Sequence, residues 1–237
     1  MNIGVICEGA ETDKPVLKLI LEHKFPNTKF EIIARDKKAI FSTCYEDIAT
    51  LQQSGIQHVA VVWDLLPVGH QMPVPSQWSE KPSRKEQRET FLRNLDTEQN
   101  PHVKVRATAR SLLLNYGFEQ GGVAADTTIN LKLICVCYAL DGWLLSDDRV
   151  IRKLGSTDAR EMELTPSLEA PDRCMNPAGL LTKVFRSAPN KRFKYYNKHQ
   201  HNEDIVRAYI DQGRLNKMSC SSSYQRLIDV LQNWGAS

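Results

Sequence analysis

The sequence predicts an α/β fold built on a mainly parallel sheet flanked by helices, on three observations. Short, almost wholly apolar segments at residues 3–7, 58–63 and 131–139 have the character of strands buried on both faces. The intervals between the early strands carry apolar residues at helical spacing. Strand, helix, strand, helix and strand follow one another within the first 64 residues, the order that parallel crossover connections require.

The elements follow in chain order. The strand at 3–7 (IGVIC) stops at Glu8-Gly9. Val16, Leu17, Ile20 and Leu21, spaced by three and four, predict a helix over 13–24, capped by Thr12 or Asp13 and with Pro15 in its first turn. A second strand fits 30–34, followed by Arg35-Asp36-Lys37-Lys38 and one helix to about residue 53. The third strand, 58–63, ends in Asp64. Residues 65–82 are rich in proline and predict a long loop leaving that strand. A charged helix over 83–95 with Phe91, Leu92 and Leu95 inward, a strand near 103–106 and a helix from about 108 come next. The run LKLICVCYA at 131–139 is a further core strand, after which the chain reads Leu140-Asp141-Gly142-Trp143. Residues 155–178 are irregular in composition, and helices return at 179–185, 202–211 and 223–234, the last capped from Ser221-Ser222-Ser223. A length of 237 residues suits one sizeable core with additions. Residues 1–150 are expected to form the α/β core, and 151–237 an irregular segment and helical C-terminal extension packed on it.

Composition narrows the function classes. Nowhere do about 18 apolar residues run together, and the first residues are not a basic leader followed by an apolar stretch, so no membrane is expected and the cytoplasm is the expected location. A net charge of +3 permits an anionic partner without requiring one. The six cysteines form no CxxC pair, and Cys7, Cys135 and Cys137 lie in strand-like runs as reduced core thiols. Cys174, His199 and His201 are too loosely spaced to outweigh a solvated loop as a zinc set. Glycine-rich dinucleotide and triphosphate loops and the G-x-S-x-G elbow are absent.

Carboxylates at strand ends carry the chemistry. In an open parallel sheet the ligand site lies beyond the carboxyl ends of the strands. Glu8, Asp64 and Asp141 fall at such ends, and Asp13 opens the helix after Glu8. Hard oxygen donors of this kind suit Mg²⁺ or Mn²⁺, which polarises a phosphoryl oxygen and generates hydroxide near neutral pH. A lone acid at a strand end is more often a turn former or helix cap. Glutamate is a poor turn residue, however, and Gly9 beside Glu8 lets backbone approach a phosphate. Basic residues supply phosphate contacts: Lys191, Arg192, Lys194 and Lys198 alternate with Phe193, Tyr195 and Tyr196, the rings either stacking on bases or packing inward. Arg35, Lys37 and Lys38 follow the second strand and line the same edge. The charges at Arg84, Lys85, Arg88 and Arg93 fit a solvated helix face.

The string from Cys7 to Leu17 (CEGAETDKPVL) resembles the opening motif of Toprim nucleases of the overcoming-lysogenization-defect kind, in which an apolar strand ends in Glu-Gly and a Thr-Asp or Thr-Glu pair starts the helix. Val61-Val62-Trp63-Asp64 resembles their second acidic strand end. The segment Leu140 to Asp147, Asn176-Pro177, Lys194-Tyr195-Tyr196-Asn197-Lys198 and the closing Ser222-Ser223-Tyr224 helix are similar to an uncharacterised family of small stand-alone Toprim-like bacterial proteins to which phage-defence roles are ascribed. The resemblance implies a Rossmann-like Toprim core with C-terminal helical elements. It implies metal or acid-base roles for Glu8, Asp13 and Asp64, a supporting acidic role for Asp141, and a phosphate-facing, catalytic role for Lys198. It also implies metal-dependent hydrolysis of DNA or RNA phosphodiesters with Mg²⁺ or Mn²⁺, and a partner ATPase. Three departures stand beside it: Glu11 is an alternative to Asp13, the usual Asp-x-Asp is Asp64-Leu65-Leu66, and Asp141 stands where the family has glutamate. A one-metal site, or a second ion completed from elsewhere, stays open, as does a non-catalytic module that binds nucleic acid or the ATPase.

Overall fold

The computed structural model describes residues 1–64, 130–136, 139–155, 171–174, 176–187 and 192–237. The expected loop at 65–82, the elements expected between 83 and about 108, Cys137 and Lys191 lie outside the described residues. So does most of the irregular segment.

Four strands, β1 (Asn2–Glu8), β2 (Lys29–Arg35), β3 (His58–Asp64) and β4 (Asn130–Val136), form a parallel sheet in the order β2-β1-β3-β4. Helix α1 (Asp13–Lys24) joins β1 to β2. Between β2 and β3 the expected single helix is two, α2 (Lys37–Ser42) and α3 (Cys44–Gln53), divided at Thr43. After β4 come α4 (Asp141–Leu144), α5 (Asp148–Gly155), a 3-10 turn at Pro171–Arg173, α6 (Pro177–Ser187), α7 (Lys198–Asp211), a second 3-10 turn at Leu215–Cys220, and α8 (Ser222–Asn233).

Strand alternation sorts the sheet into two faces. Ile3, Val5 and Cys7 of β1, with Ala60, Val62, Ile134 and Val136 across the sheet, join one hydrophobic cluster with α1 and the C-terminal helices. Gly4 and Ile6 face the other way, toward α3. A Cβ on Gly4 would lie 2.8 Å from Leu51 Cδ1, so the glycine lets α3 approach the sheet closely. The C-terminal helices are therefore part of the main core: α7 packs on α1, and α8 packs on β4. Trp143 of α4 donates to Ser223 Oγ of α8 at 3.0 Å. Tyr209 of α7 donates to the Leu144 carbonyl at 3.0 Å and accepts from the Asp147 amide at 2.7 Å. These bonds fix α4, and with it Asp141, against the sheet. Among the described residues no helix is long and apolar enough to cross a membrane.

Candidate functional site

The chain runs outward from β1 to β2 and then returns to the far side of β1 as β3, so the order of strands reverses between β1 and β3. Such a reversal opens a crevice at the carboxyl ends of the two strands, where open α/β sheets bind ligands. Glu8 is the last residue of β1 and Asp64 the last of β3. The Asp64 amide donates to Glu8 Oε2 at 3.2 Å, so the two strand ends are stitched together at the crevice. Asp64 is itself held by Oδ1, which accepts from the Leu140 amide at 2.7 Å, just ahead of α4.

Gly9 makes the turn that follows. Its φ of 70° is left-handed, and a Cβ there would overlap Thr12 Oγ1 and come within 3.1 Å of Asp13 Cγ. Thr12 occupies the position before α1 without a side-chain cap. The carbonyl of Gly9 instead accepts from the amides of Asp13 and Lys14, both at 3.0 Å, which places buried Asp13 in the first turn of α1.

Two lysines enter this acidic edge. Asp36 caps α2 by accepting from the Ala39 amide at 2.7 Å, and Lys37 starts that helix. The Lys37 ammonium is buried; it donates to the Asp64 carbonyl at 2.6 Å and lies 3.6 Å from Glu8 Oε2. Lys198 starts α7. Asn197 caps it through its side chain, which accepts from the His199 amide at 3.0 Å, while the Asn197 amide donates to His201 Nδ1 at 2.8 Å. The Lys198 ammonium pairs with Asp141 Oδ2 at 2.8 Å. Asp141 is 1% exposed. Its other oxygen, Oδ1, lies 2.9 Å from the Tyr196 hydroxyl and accepts from Asn202 Nδ2 at 3.2 Å. Tyr196 and Asn202 are also hydrogen-bonded to each other.

The electrostatics reflect crowding of like charge. Burial raises the Asp13 carboxyl to about 7, with the charges of Asp141 and Glu8 adding to the rise and Lys198 opposing it. Burial also raises Asp64 well above the usual carboxylate range, reinforced by Asp13 and Glu8. Glu8 is raised by burial against the pull of Lys37. For Lys198, burial works against the charged form, but Asp141, Asp64 and Asp13 together outweigh it and raise the ammonium. Asp13 is thus a group able to hold or release a proton near neutral pH.

Glu8, Asp13, Asp64, Asp141 and Lys198 all belong to this one electrostatic cluster. Asp141 is hydrogen-bonded through Oδ1, while Oδ2 meets only the Lys198 ammonium, as an ion pair, among the described residues. The expected basic rim divides. Lys37 is a buried cation of the acidic edge. Arg35 makes a two-pronged ion pair with Asp47, at 2.9 Å from Nε and 2.5 Å from Nη2. Arg192 and Lys194 are exposed. Lys38 lies in α2, and its side chain is outside the described residues. Glu11 is exposed, with its Oε2 3.4 Å from His199 Nδ1. His201 packs among Phe185, Phe193 and Tyr196, and its Nδ1 accepts from the Asn197 amide.

Sequence reasoning missed Tyr196 and Asn202 as partners of Asp141. The signal for Tyr196 was present: in Tyr196-Asn197-Lys198 the two outer residues hold opposite oxygens of one carboxylate. Asn202 follows on the same helix but carried no sequence mark.

Comparison with protein-family models, curated proteins and solved structures found no match. The donor chemistry of Glu8, Asp13 and Asp64 suits a hard divalent cation. Among the described residues, four carboxylates lie with two ammonium groups at this edge. Among the described residues, however, no three His, Cys, Asp or Glu side chains form a ready-made metal centre.

Proposed function

We propose that the chain is a Toprim-like phosphodiester hydrolase acting on DNA or RNA, with its active edge at the reversal point between β1 and β3. One observation carries this: the last residues of the two strands flanking the crevice are both acids, Glu8 and Asp64, and they are hydrogen-bonded to each other. Asp13, Asp141 and Lys198 join them in one electrostatic cluster. The four-stranded parallel sheet is consistent with the Toprim core that the Glu8-Gly9 motif implies. A role in bacterial antiviral defence beside a partner ATPase belongs to the same proposal.

Glu8, Asp13 and Asp64 would hold Mg²⁺ or Mn²⁺, which when bound supplies Lewis-acid polarisation of a phosphoryl oxygen and a hydroxide at neutral pH. Lys198, 38% exposed at its side chain, offers its ammonium to charge developing on phosphate, and Asp141 with Tyr196 and Asn202 holds that ammonium in place. In the metal-free chain the Asp13 carboxyl is raised to about 7 by burial, so taking up the cation would release a proton from it. Lys37 keeps Glu8 and the end of β3 together by charge.

The second reading, a non-catalytic module that binds nucleic acid or a partner ATPase, is favoured by the lack of a ready-made metal centre among the described residues. Cleavage of labelled single- and double-stranded DNA and of RNA, with Mg²⁺, Mn²⁺ or chelator, separates the two. The hydrolase cuts only with metal, and Glu8→Gln, which keeps an acceptor for the Asp64 amide, abolishes cutting without unfolding. Equal cutting by that variant overturns the Glu8 mechanism, and no cutting by wild type under any condition favours the second reading.

A further inference from the structure

Residues 192–197 lead directly into Lys198, and the structure sorts their side chains. Phe193 packs on Phe185 and His201, with ring centroids 5.2 and 4.3 Å away. Tyr196 is buried and reaches Asp141. Tyr195, between them, is 53% exposed, and no other Phe, Tyr or Trp side chain among those described is as open. Arg192 and Lys194 are exposed on the same stretch, with the Arg192 guanidinium 5.5 Å from the Phe193 ring centroid.

An isolated exposed tyrosine is ordinary. This one stands on an anchored backbone. Phe193 is held on one side; on the other are the Tyr196 bond to Asp141 and the Asn197 amide bond to His201 Nδ1. The ring is therefore presented to solvent without a large ordering cost on binding. It sits three residues from Lys198, within about 11 Å of chain reach, and is flanked by two cations. Exposed aromatics beside cations suit single-stranded nucleic acid, because every unpaired base offers a face to stack on and its backbone offers charge to neutralise. A duplex keeps its bases stacked inside and offers no such face.

The geometry points to Tyr195 as a base-stacking platform that makes single-stranded nucleic acid the ligand of this edge, with Arg192 and Lys194 on its phosphates. The inference rests on the placement of a nucleic-acid site at the acidic edge, and it names the strand state that site takes.

The test is fluorescence anisotropy of a labelled 12-nucleotide pyrimidine strand, as DNA and as RNA, and of a duplex of the same sequence, all in chelator. Tyr195→Ala is expected to weaken single-strand binding on the order of tenfold, with Tyr195→Phe and Tyr195→Trp close to wild type and duplex binding unchanged. Whether the DNA or the RNA strand loses more identifies the source of the strand. Wild-type affinity in Tyr195→Ala, an equal loss on strand and duplex, or no single-strand binding by wild type would overturn the inference. Circular dichroism of the variant checks that it is folded. Binding is read without metal, so Tyr195-dependent binding without cleavage leaves the inference standing and removes the hydrolase. Cleavage that ignores Tyr195 does the reverse.

Discussion

Asp141 is a buried carboxylate whose charge is balanced by one partner, Lys198, and whose second oxygen is bonded by Tyr196 and Asn202. Removing the ammonium leaves that carboxylate buried without a counter-charge. Lys198→Ala is therefore expected to cost on the order of 2 kcal/mol, below the range for fully buried pairs because Lys198 is partly exposed. Adding Asp141→Asn should recover much of that loss, and urea unfolding of the single and double variants measures the coupling. If the two losses simply add, the pair does not hold the site together. Asp13 gives a second prediction. The folded chain keeps its proton up to about pH 7, whereas an unfolded aspartate loses it near about 4. The folded state thus binds more protons between those values, and metal-free stability falls as pH rises across the window. Glu8 and Asp64, also raised, act in the same direction. Thermal melts in chelator at pH 5 and pH 8 should show the higher midpoint at pH 5; the opposite order would mean that the acids are ionised and well paired.

Among elements, those with an uninterrupted apolar pattern were legible in the sequence. The strands around Val5 and Val61, and the helix carrying Val16, Leu17, Ile20 and Leu21, lie where their apolar pattern places them, whereas the strand expected over 131–139 runs from Asn130 to Val136 and Asp141 opens α4. Element starts were less legible, for a physical reason. Helix α7 begins at Lys198, not at 202, because its first turn is Lys198-His199-Gln200, polar residues that add nothing to an apolar stripe that begins at Ile205. Only the cap marks that start, and Asn197 was the signal. The correction matters for the site, since it puts Lys198 at a helix start rather than on a loop. The division at Thr43 was hidden because Ile40, Cys44 and Ile48 keep an inward spacing across it. The places of Glu8 and Asp64 at strand ends and of Asp13 at a helix start were legible because those are local features. Lys37 was placed at the same edge but as a phosphate contact, because burial of its ammonium follows from the separate approach of β3.

At the scale of the whole molecule, the C-terminal helices complete the core. Tyr224, Leu227, Ile228 and Leu231 of α8 are buried in the same cluster as Val5 and Val62. The Asn27 amide donates to the Ser237 carbonyl at 2.8 Å, tying the chain beyond α8 to the turn after α1. Four large buried side chains at about 2 kcal/mol each approach the total stability of an ordinary domain. Deleting 222–237 is therefore expected to abolish the cooperative far-UV transition of the entire chain, and a truncated protein melting near wild type would make those residues a separable extension. The same packing holds α4 and α7, and hence Asp141 and Lys198, over the ends of β1 and β3. The claim on which the functional account turns is that this edge takes a divalent cation. Calorimetric titration of Mn²⁺ into wild type, Glu8→Gln and Asp64→Asn tests it most directly, because each carboxamide keeps one oxygen for the bond the acid accepts and removes the second oxygen and the negative charge that a cation needs. Saturable binding by wild type, weakened at least tenfold in both variants, is the predicted result; no binding by wild type, or equal binding by all three, would contradict it.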